Sequence, residues 1–196
     1  MIPNPELLQE STTPPKQLTQ ELGHTGLGSG VEVDIVHTPL PDGYHYAEAA
    51  GIDPGEVIAL VRQPGIEWDV DDDEIQMQRT DARANGLTLQ DVGVRDSDHS
   101  LVGFGSLAFR GEYGELGNFV VSPAHQSKGI GKAIIDARLA MADAAGITSL
   151  YIAPLEPTNT LRSYYAQKGF HETPAGEMVR GPHPIPLTFE HSEASV

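Results

Sequence analysis

The sequence predicts an α/β (α+β) fold, one mixed sheet of six to seven strands flanked by about four helices. Three observations carry that reading. Three β-rich runs follow one another between Leu87 and Ser122 with only short turns between them, the pattern of a meander. From Gly129 onward the period switches, and helix, strand, helix and strand alternate. The repeated βαβ halves of a dinucleotide-binding sheet are missing.

The elements follow in order. Residues 1–30 are rich in Pro, Gln, Thr and Gly, cannot bury much surface, and are expected to form a flexible arm. The domain proper is expected over 31–182. "VEVDIVH" (Val31 to His37) alternates apolar and polar residues as a strand does. Asp53, Pro54 and Glu56 supply an N-cap, a first-turn proline and a capping-box glutamate, so a helix starts there and stops before Pro64. A second helix is expected within "EWDVDDDEIQMQRTDARANG". Its acids sit where the helix dipole favours them, and Asn85-Gly86 ends it.

"LTLQDVGVRD" and "LVGFGSLAFRG" form a hairpin across "SDHS", and "GELGNFVVS" is the third strand of the meander. In "GIGKAIIDARLAMADAAG", Ile130, Ile134, Ala137, Met141 and Ala145 line one helix face, and Gly146 stops the helix. A strand at "SLYIAPL", a helix at "TNTLRSYYAQKG" and a closing strand or hairpin at "FHETPAGEMVRG" complete the domain. Residues 183–196 form a loose tail or an edge strand.

Composition limits the function classes. The chain has 196 residues and no cysteine, which excludes disulfides, a thiolate nucleophile and a Cys-based zinc site. The eight histidines show no HExxH or paired ligand spacing, so no metal is expected. No run is long and apolar enough for a membrane span, the N-terminus is unlike a secretory signal, and a cytoplasmic location is expected. The net charge of −16 disfavours nucleic acid and anionic membranes as partners. Its distribution is uneven. Phe119 to Phe170 holds five basic residues (Lys128, Lys132, Arg138, Arg162, Lys168) against three acids, net +2, and the remainder of the chain carries −18. An anion is best tolerated in that one segment.

That segment contains "VVSPAHQSKGIGKAII". A turn from a strand into a helix N-terminus is an anion site in waiting, because the first backbone N–H groups have no intrahelical partner. A P-loop is excluded: Gln126 stands where its first Gly belongs and Ala133 where its Ser or Thr belongs. A dinucleotide fingerprint is excluded because Ile134 replaces its third Gly.

The remaining pattern, Gln126-x-x-Gly129-x-Gly131 after "VVSP", resembles motif A of the GCN5-related N-acetyltransferase (GNAT) family. "LVGFGSL" resembles that family's third strand and "NFVVSPAHQSKGIGKAII" its strand–loop–helix unit. "SLYIAP" with "LRSYYAQKGF" resembles its motif B, with Tyr165, Gly169 and Phe170 at matching spacing. The resemblance spans roughly residues 31–180 and implies a mostly antiparallel sheet. It implies acetyl-CoA as co-substrate, with Phe119, Val120, Val121, Gln126, Ser127, Lys128, Gly129, Ile130, Gly131, Lys132, Asn159 and Tyr165 as its contacts. Family members often carry an Asn seven residues before the motif-B Tyr; here Thr158 occupies that place and Asn159 lies six before.

The implied reaction is attack of an amine on the acetyl thioester. Tyr165 is the expected acid for the departing thiolate, since a phenol is neutral and can donate at pH 7. Tyr164 points about 100° away on a helix and cannot serve the same atom. Glu115 is the leading base; ordered water is an alternative, and His125, which adjoins the loop and is read as a surface residue, is a weaker one. If the strand alternates regularly, Glu115, Gly117, Phe119 and Val121 share one face and Asn118 the other. Backbone N–H groups near Phe119 to Val121 are expected to meet the thioester oxygen or the pantetheine. Arg162 and Lys168 lie near the CoA end or on the surface.

The acceptor is read from charge. "WDVDDDE" places Trp68 beside five acids, an entrance suited to a small cationic or amino-acid-like amine. Protein lysines and N-termini are the alternative acceptors. A non-catalytic acyl-CoA-binding or sensing module is the alternative function, and homodimerisation stays open.

Overall fold

The computed structural model describes residues 38–47, 51–66, 84, 86–155 and 160–182. The arm, the strand expected over 31–37, most of the acidic helix, Asn159 and the tail lie outside the described residues. The described part is a seven-stranded sheet with three helices. In chain order these are β1 (His45–Ala47), α1 (Pro54–Val61), β2 (Thr88–Arg95), β3 (Leu101–Arg110), β4 (Tyr113–Val121), α2 (Ile130–Ala144), β5 (Ser149–Ile152), α3 (Leu161–Gln167), β6 (His171–Glu172) and β7 (Met178–Arg180). The spatial order is β1-β2-β3-β4-β5-β7-β6. Every neighbouring pair is antiparallel except β4 and β5, which run parallel.

Local chemistry explains most of the boundaries. At α1 the Asp53 side chain accepts from Gly55 N at 2.6 Å and Glu56 reaches back to the Asp53 N–H, a complete capping box. Glu56 also takes both Nη atoms of Arg95 at 2.7 and 2.8 Å, tying α1 to the end of β2. At the far end of α2, Gly146 adopts φ 72 and stops the helix. β1 was not anticipated from the sequence. It is a three-residue edge strand after the Pro41–Tyr44 turn, too short for alternation to register.

The sheet divides the core into two. On one side α2 buries Ile130, Ile134, Ala137 and Met141 against Val92, Val94 and Leu107. Each fully buried Ile contributes about 1.5–3 kcal/mol, which seats α2 firmly. Gly103 and Gly105 make room for this helix, since a Cβ at either would lie 2.8–2.9 Å from Ile134. On the other side α1 packs Val57, Leu60 and Val61 against Phe104 and Val120.

β4 changes face partway along. Its register with β3 slips between Phe104 and Ser106, and Asn118 takes φ 43, so one extra β4 residue is accommodated there as a bulge. Leu116 therefore packs on the α2 side and Val120 on the α1 side, although they are four residues apart. Regular alternation does not hold. Phe119 and Val121 face α2, meeting Gly131, whereas Gly117 lies beside Ser106 on the other face with Glu115. The expectation that all four share a face is corrected by this bulge.

Candidate functional site

β5 pairs with β4 only at Tyr113, Gly114 and Glu115. Beyond that point the two parallel strands part, and the β5-side edge of β4 from Leu116 to Val121 has no strand partner among the described residues. The chain leaves β4 through Ser122, makes a 3-10 turn over Pro123–His125, and enters α2. Ser127 (φ 60) and Gly129 (φ 89) are both left-handed, which curls the loop into a concave run of backbone. The Gln126 side chain donates to Val121 O at 3.1 Å and pins the loop to the end of β4. Gly129 is the N-cap of α2 and no side chain caps that end, so its first N–H groups open outward. A Cβ on Gly131 would lie 3.1 Å from the Phe119 ring, so the residue there must be small.

A cleft of about 490 Å³ opens at this point, in the size range of small-molecule sites. Phe119, Val120, Val121, Gln126, Ser127, Gly131 and Lys132 line it, all of them expected site residues. Gly65 and Ile66 after α1 and Thr160 and Leu161 at the start of α3 complete it. Gly65 and Ile66 escaped the sequence reading because they come from a segment distant in the chain, whereas Thr160 and Leu161 lie between the expected Asn159 and Tyr165. Ile130 is buried in the core, so any contribution from it is through its backbone. Lys128 and Gly129 are exposed on the loop.

The two expected catalytic side chains flank the fork from opposite faces. Glu115 stands on the α1 side, opposite Ala108 and next to Tyr151 in register. Burial pushes its carboxyl up to about 7. The Tyr151 hydroxyl donates to Glu177 at 3.3 Å. Burial first, then the charges of Glu177 and Glu115, hold that phenol at about 12. Tyr165 lies on the α2 side, 2% exposed, with its ring edge-on to Phe170 at 5.4 Å. Its hydroxyl is 3.5 Å from an Nη of Arg138. Neither Glu115 nor Tyr165 lines the cleft itself. The Phe119 ring, which does, lies 5.2 Å from the Arg138 guanidinium, which also meets the Tyr165 hydroxyl.

Neighbouring residues have other engagements. Tyr164 donates to Asp136 at 2.6 Å, and burial followed by that carboxylate raises its phenol to about 12. Lys168 pairs with the same Asp136 at 2.7 Å, and Arg162 pairs with Glu172 and the Leu155 carbonyl. His125, expected on the surface, is half-buried: its Nδ1 meets the Tyr44 hydroxyl at 3.0 Å and its ring faces Asp96. Arg138 was counted in the sequence only as a charge. Its place four residues after Ile134 on a buried row was the signal that marks it as internal.

A parallel-strand fork, a concave loop and an uncapped helix N-terminus meet beside a split in the sheet of this α/β protein, a geometry that suits an anionic ligand. The model of the acetyltransferase (GNAT) family matches residues 56–170 of this chain, more than half of its length, and the chain belongs to that family. A search of curated proteins gives no match. Among solved structures, a GNAT-family acetyltransferase from Staphylococcus aureus Mu50 is similar at 15% identity and TM-score 0.55, over 70% of this chain and 98% of that one. The PaiA N-acetyltransferase from Thermoplasma acidophilum, in complex with coenzyme A, is similar at 17% identity and TM-score 0.52, over 69% and 96%. A chimera of the Vibrio cholerae spermidine N-acetyltransferase SpeG and hSSAT is similar at 15% identity and TM-score 0.52, over 71% and 95%. At these identities the likeness is one of fold. No helix among the described residues is long and apolar enough to cross a membrane.

Proposed function

We propose that this chain transfers an acetyl group from acetyl-CoA to the amine of a small cationic or amino-acid-like molecule, by direct attack in a ternary complex. The observation that carries this reading is the uncapped N-terminus of α2 opening beside the β4–β5 fork. The pyrophosphate sits on the backbone of Ser127 to Lys132, with Lys128 and Lys132 adding positive charge. Gln126 holds the loop in shape. The unpaired edge of β4 at Phe119 to Val121 takes the pantetheine as a neighbouring strand would, and Asn159 is a further contact in this reading.

Glu115 takes one proton from the acceptor ammonium, directly or through a water. The free amine attacks the thioester carbon, the carbon–sulfur bond breaks, and its electron pair stays on sulfur. Tyr165 gives the sulfur a proton that solvent replaces, and the second N–H proton leaves to solvent. A base on one face of the sheet and an acid on the other suit a donor and an acceptor that approach the fork from opposite sides. The Glu115 and Glu177 carboxylates around the Tyr151 hydroxyl support a cationic acceptor.

The test is to incubate the protein with acetyl-CoA and a panel of spermidine, an aminoglycoside, free amino acids and a lysine peptide, following thiol release. Thiol release with a small amine is the expected result. Release with the peptide alone would transfer the reading to protein acetylation. Coenzyme A affinity with no turnover on any amine would leave a binding module and remove the enzyme.

A further inference from the structure

Arg138 is 0% exposed, the largest fully buried side chain among the described residues. No carboxylate lies within ion-pair distance of it there, and its Nε–H has no hydrogen-bond partner. A buried guanidinium without a counter-ion costs stability, so packing alone gives no reason for it. Its surroundings are nevertheless shaped to admit it. Gly105 leaves the space, since a Cβ there would lie 3.1 Å from the guanidinium carbon.

Four of its contacts converge on the proposed site. One Nη donates to the Ser106 and Gly117 carbonyls at 3.1 and 3.0 Å, bridging β3 and β4 where the bulge begins. The other Nη faces the Tyr165 hydroxyl at 3.5 Å. The Phe119 ring of the cleft wall covers the guanidinium face at 5.2 Å. A guanidinium carries donors and no acceptor, so the Tyr165 oxygen must accept from it. The phenol proton is then directed away from Arg138, and a phenolate left after proton donation would face a fixed positive charge.

We infer that Arg138 is a positioning residue for acetyl transfer, acting through Tyr165: it makes Tyr165 an outward proton donor and anchors the Gly117 end of the β4 bulge. The inference rests on the acetyl-transfer reading and adds to it a residue that neither touches the acetyl-CoA nor lines the cleft.

The experiment is a double-mutant cycle of Arg138→Met with Tyr165→Phe, with Arg138→Lys as the charge-keeping variant. Turnover is followed by thiol release from acetyl-CoA with spermidine, coenzyme A binding by calorimetry, and the tyrosine ring by 13Cζ NMR with the Tyr165 resonance assigned through Tyr165→Phe. Arg138→Met should lower kcat about ten- to a hundredfold, yet less than about threefold in the Tyr165→Phe background, with KM for acetyl-CoA changed less than about threefold. Arg138→Lys should fold, bind coenzyme A and recover part of the loss. The Tyr165 resonance should move in both Arg138 variants while those of Tyr113 and Tyr151 stay. Additive losses in the cycle, or an unmoved Tyr165 resonance in a variant that still binds coenzyme A, overturn the inference. If the unsubstituted protein binds coenzyme A but releases no thiol, the acetyl-transfer reading fails, and the Tyr165 resonance alone decides whether Arg138 governs that hydroxyl.

Discussion

Glu115 is the last residue of β4 to find a partner in β5, and that partner is Tyr151. The pair marks the point where the two parallel strands separate. It also sets a half-buried carboxylate beside a phenol whose hydroxyl already serves Glu177. The Glu115 carboxyl is therefore raised by burial to about 7. A base of that kind accepts protons only once it is ionised, so turnover is predicted to rise with pH and level off above about 7. Glu115→Gln should lower turnover and remove that rise, read from the pH dependence of kcat/KM. An unchanged profile would assign the base to water.

The same carboxyl carries a stability prediction of known sign. Its folded value lies above the ordinary 4.5, so between about 4.5 and about 7 the folded state binds more protons than the unfolded one. Stability contributed by this group therefore falls as pH rises through that window. Glu115→Gln should flatten the fall and leave the protein relatively more stable above pH 7, measured by urea unfolding across the pH range.

Tyr165→Phe is predicted to reduce kcat about ten- to a hundredfold while coenzyme A binding is kept, because the ring stays in its place against Phe170 and only the hydroxyl is lost. Calorimetry with coenzyme A beside steady-state kinetics checks this. Equal loss of binding and turnover would make Tyr165 a packing residue.

The two loop glycines should separate by mechanism. A Cβ on Gly129 would make only an ordinary contact with Pro41 at 3.7 Å, but the residue sits at φ 89, so Gly129→Ala should cost about 1–2 kcal/mol of stability through backbone strain. Gly131 has ordinary helical backbone, but a Cβ there presses on the Phe119 ring at 3.1 Å. Gly131→Ala should instead weaken coenzyme A binding severalfold, with a smaller effect on melting temperature. Calorimetry and thermal unfolding of the pair test the contrast.

Gly105→Ala places a methyl 2.9 Å from Ile134 and 3.1 Å from the Arg138 guanidinium, inside a packed core. Overpacking of this kind is predicted to destabilise by about 1–3 kcal/mol, seen in chemical denaturation. Gly111→Ala, with nothing within 4 Å but φ 60, supplies the strain-only control.

Most of the sheet was legible in the chain. The meander, α1 with its capping box, and α2 between Gly129 and Gly146 all rest on contacts within a few residues, where side-chain pattern and local hydrogen bonding decide the outcome. The concave loop was legible for the same reason: Gln126, Gly129 and Gly131 act on their own backbone. The acidic stretch around Trp68, from which the acceptor was read, lies outside the described residues. The half-burial of His125 could not be read locally, because Tyr44 and Asp96 come from distant segments.

The limit of local reading shows most clearly at β4. Strict alternation put Glu115 and Phe119 on one face, and a single extra residue at Asn118 set them on opposite faces. A bulge is a response to the neighbouring strand, and nothing in "EYGELGNFVV" alone requires it. Arg138 follows the same logic. Its charge suggests the surface, and its burial depends on a space left by Gly105 of β3 and on carbonyls supplied by β3 and β4. Short-range order and the concave loop belong to the chain itself, because neighbours in sequence enforce them. Which face each side chain meets, and what stands behind Tyr165, belong to the packed sheet, because those contacts form only when segments far apart in the chain come together.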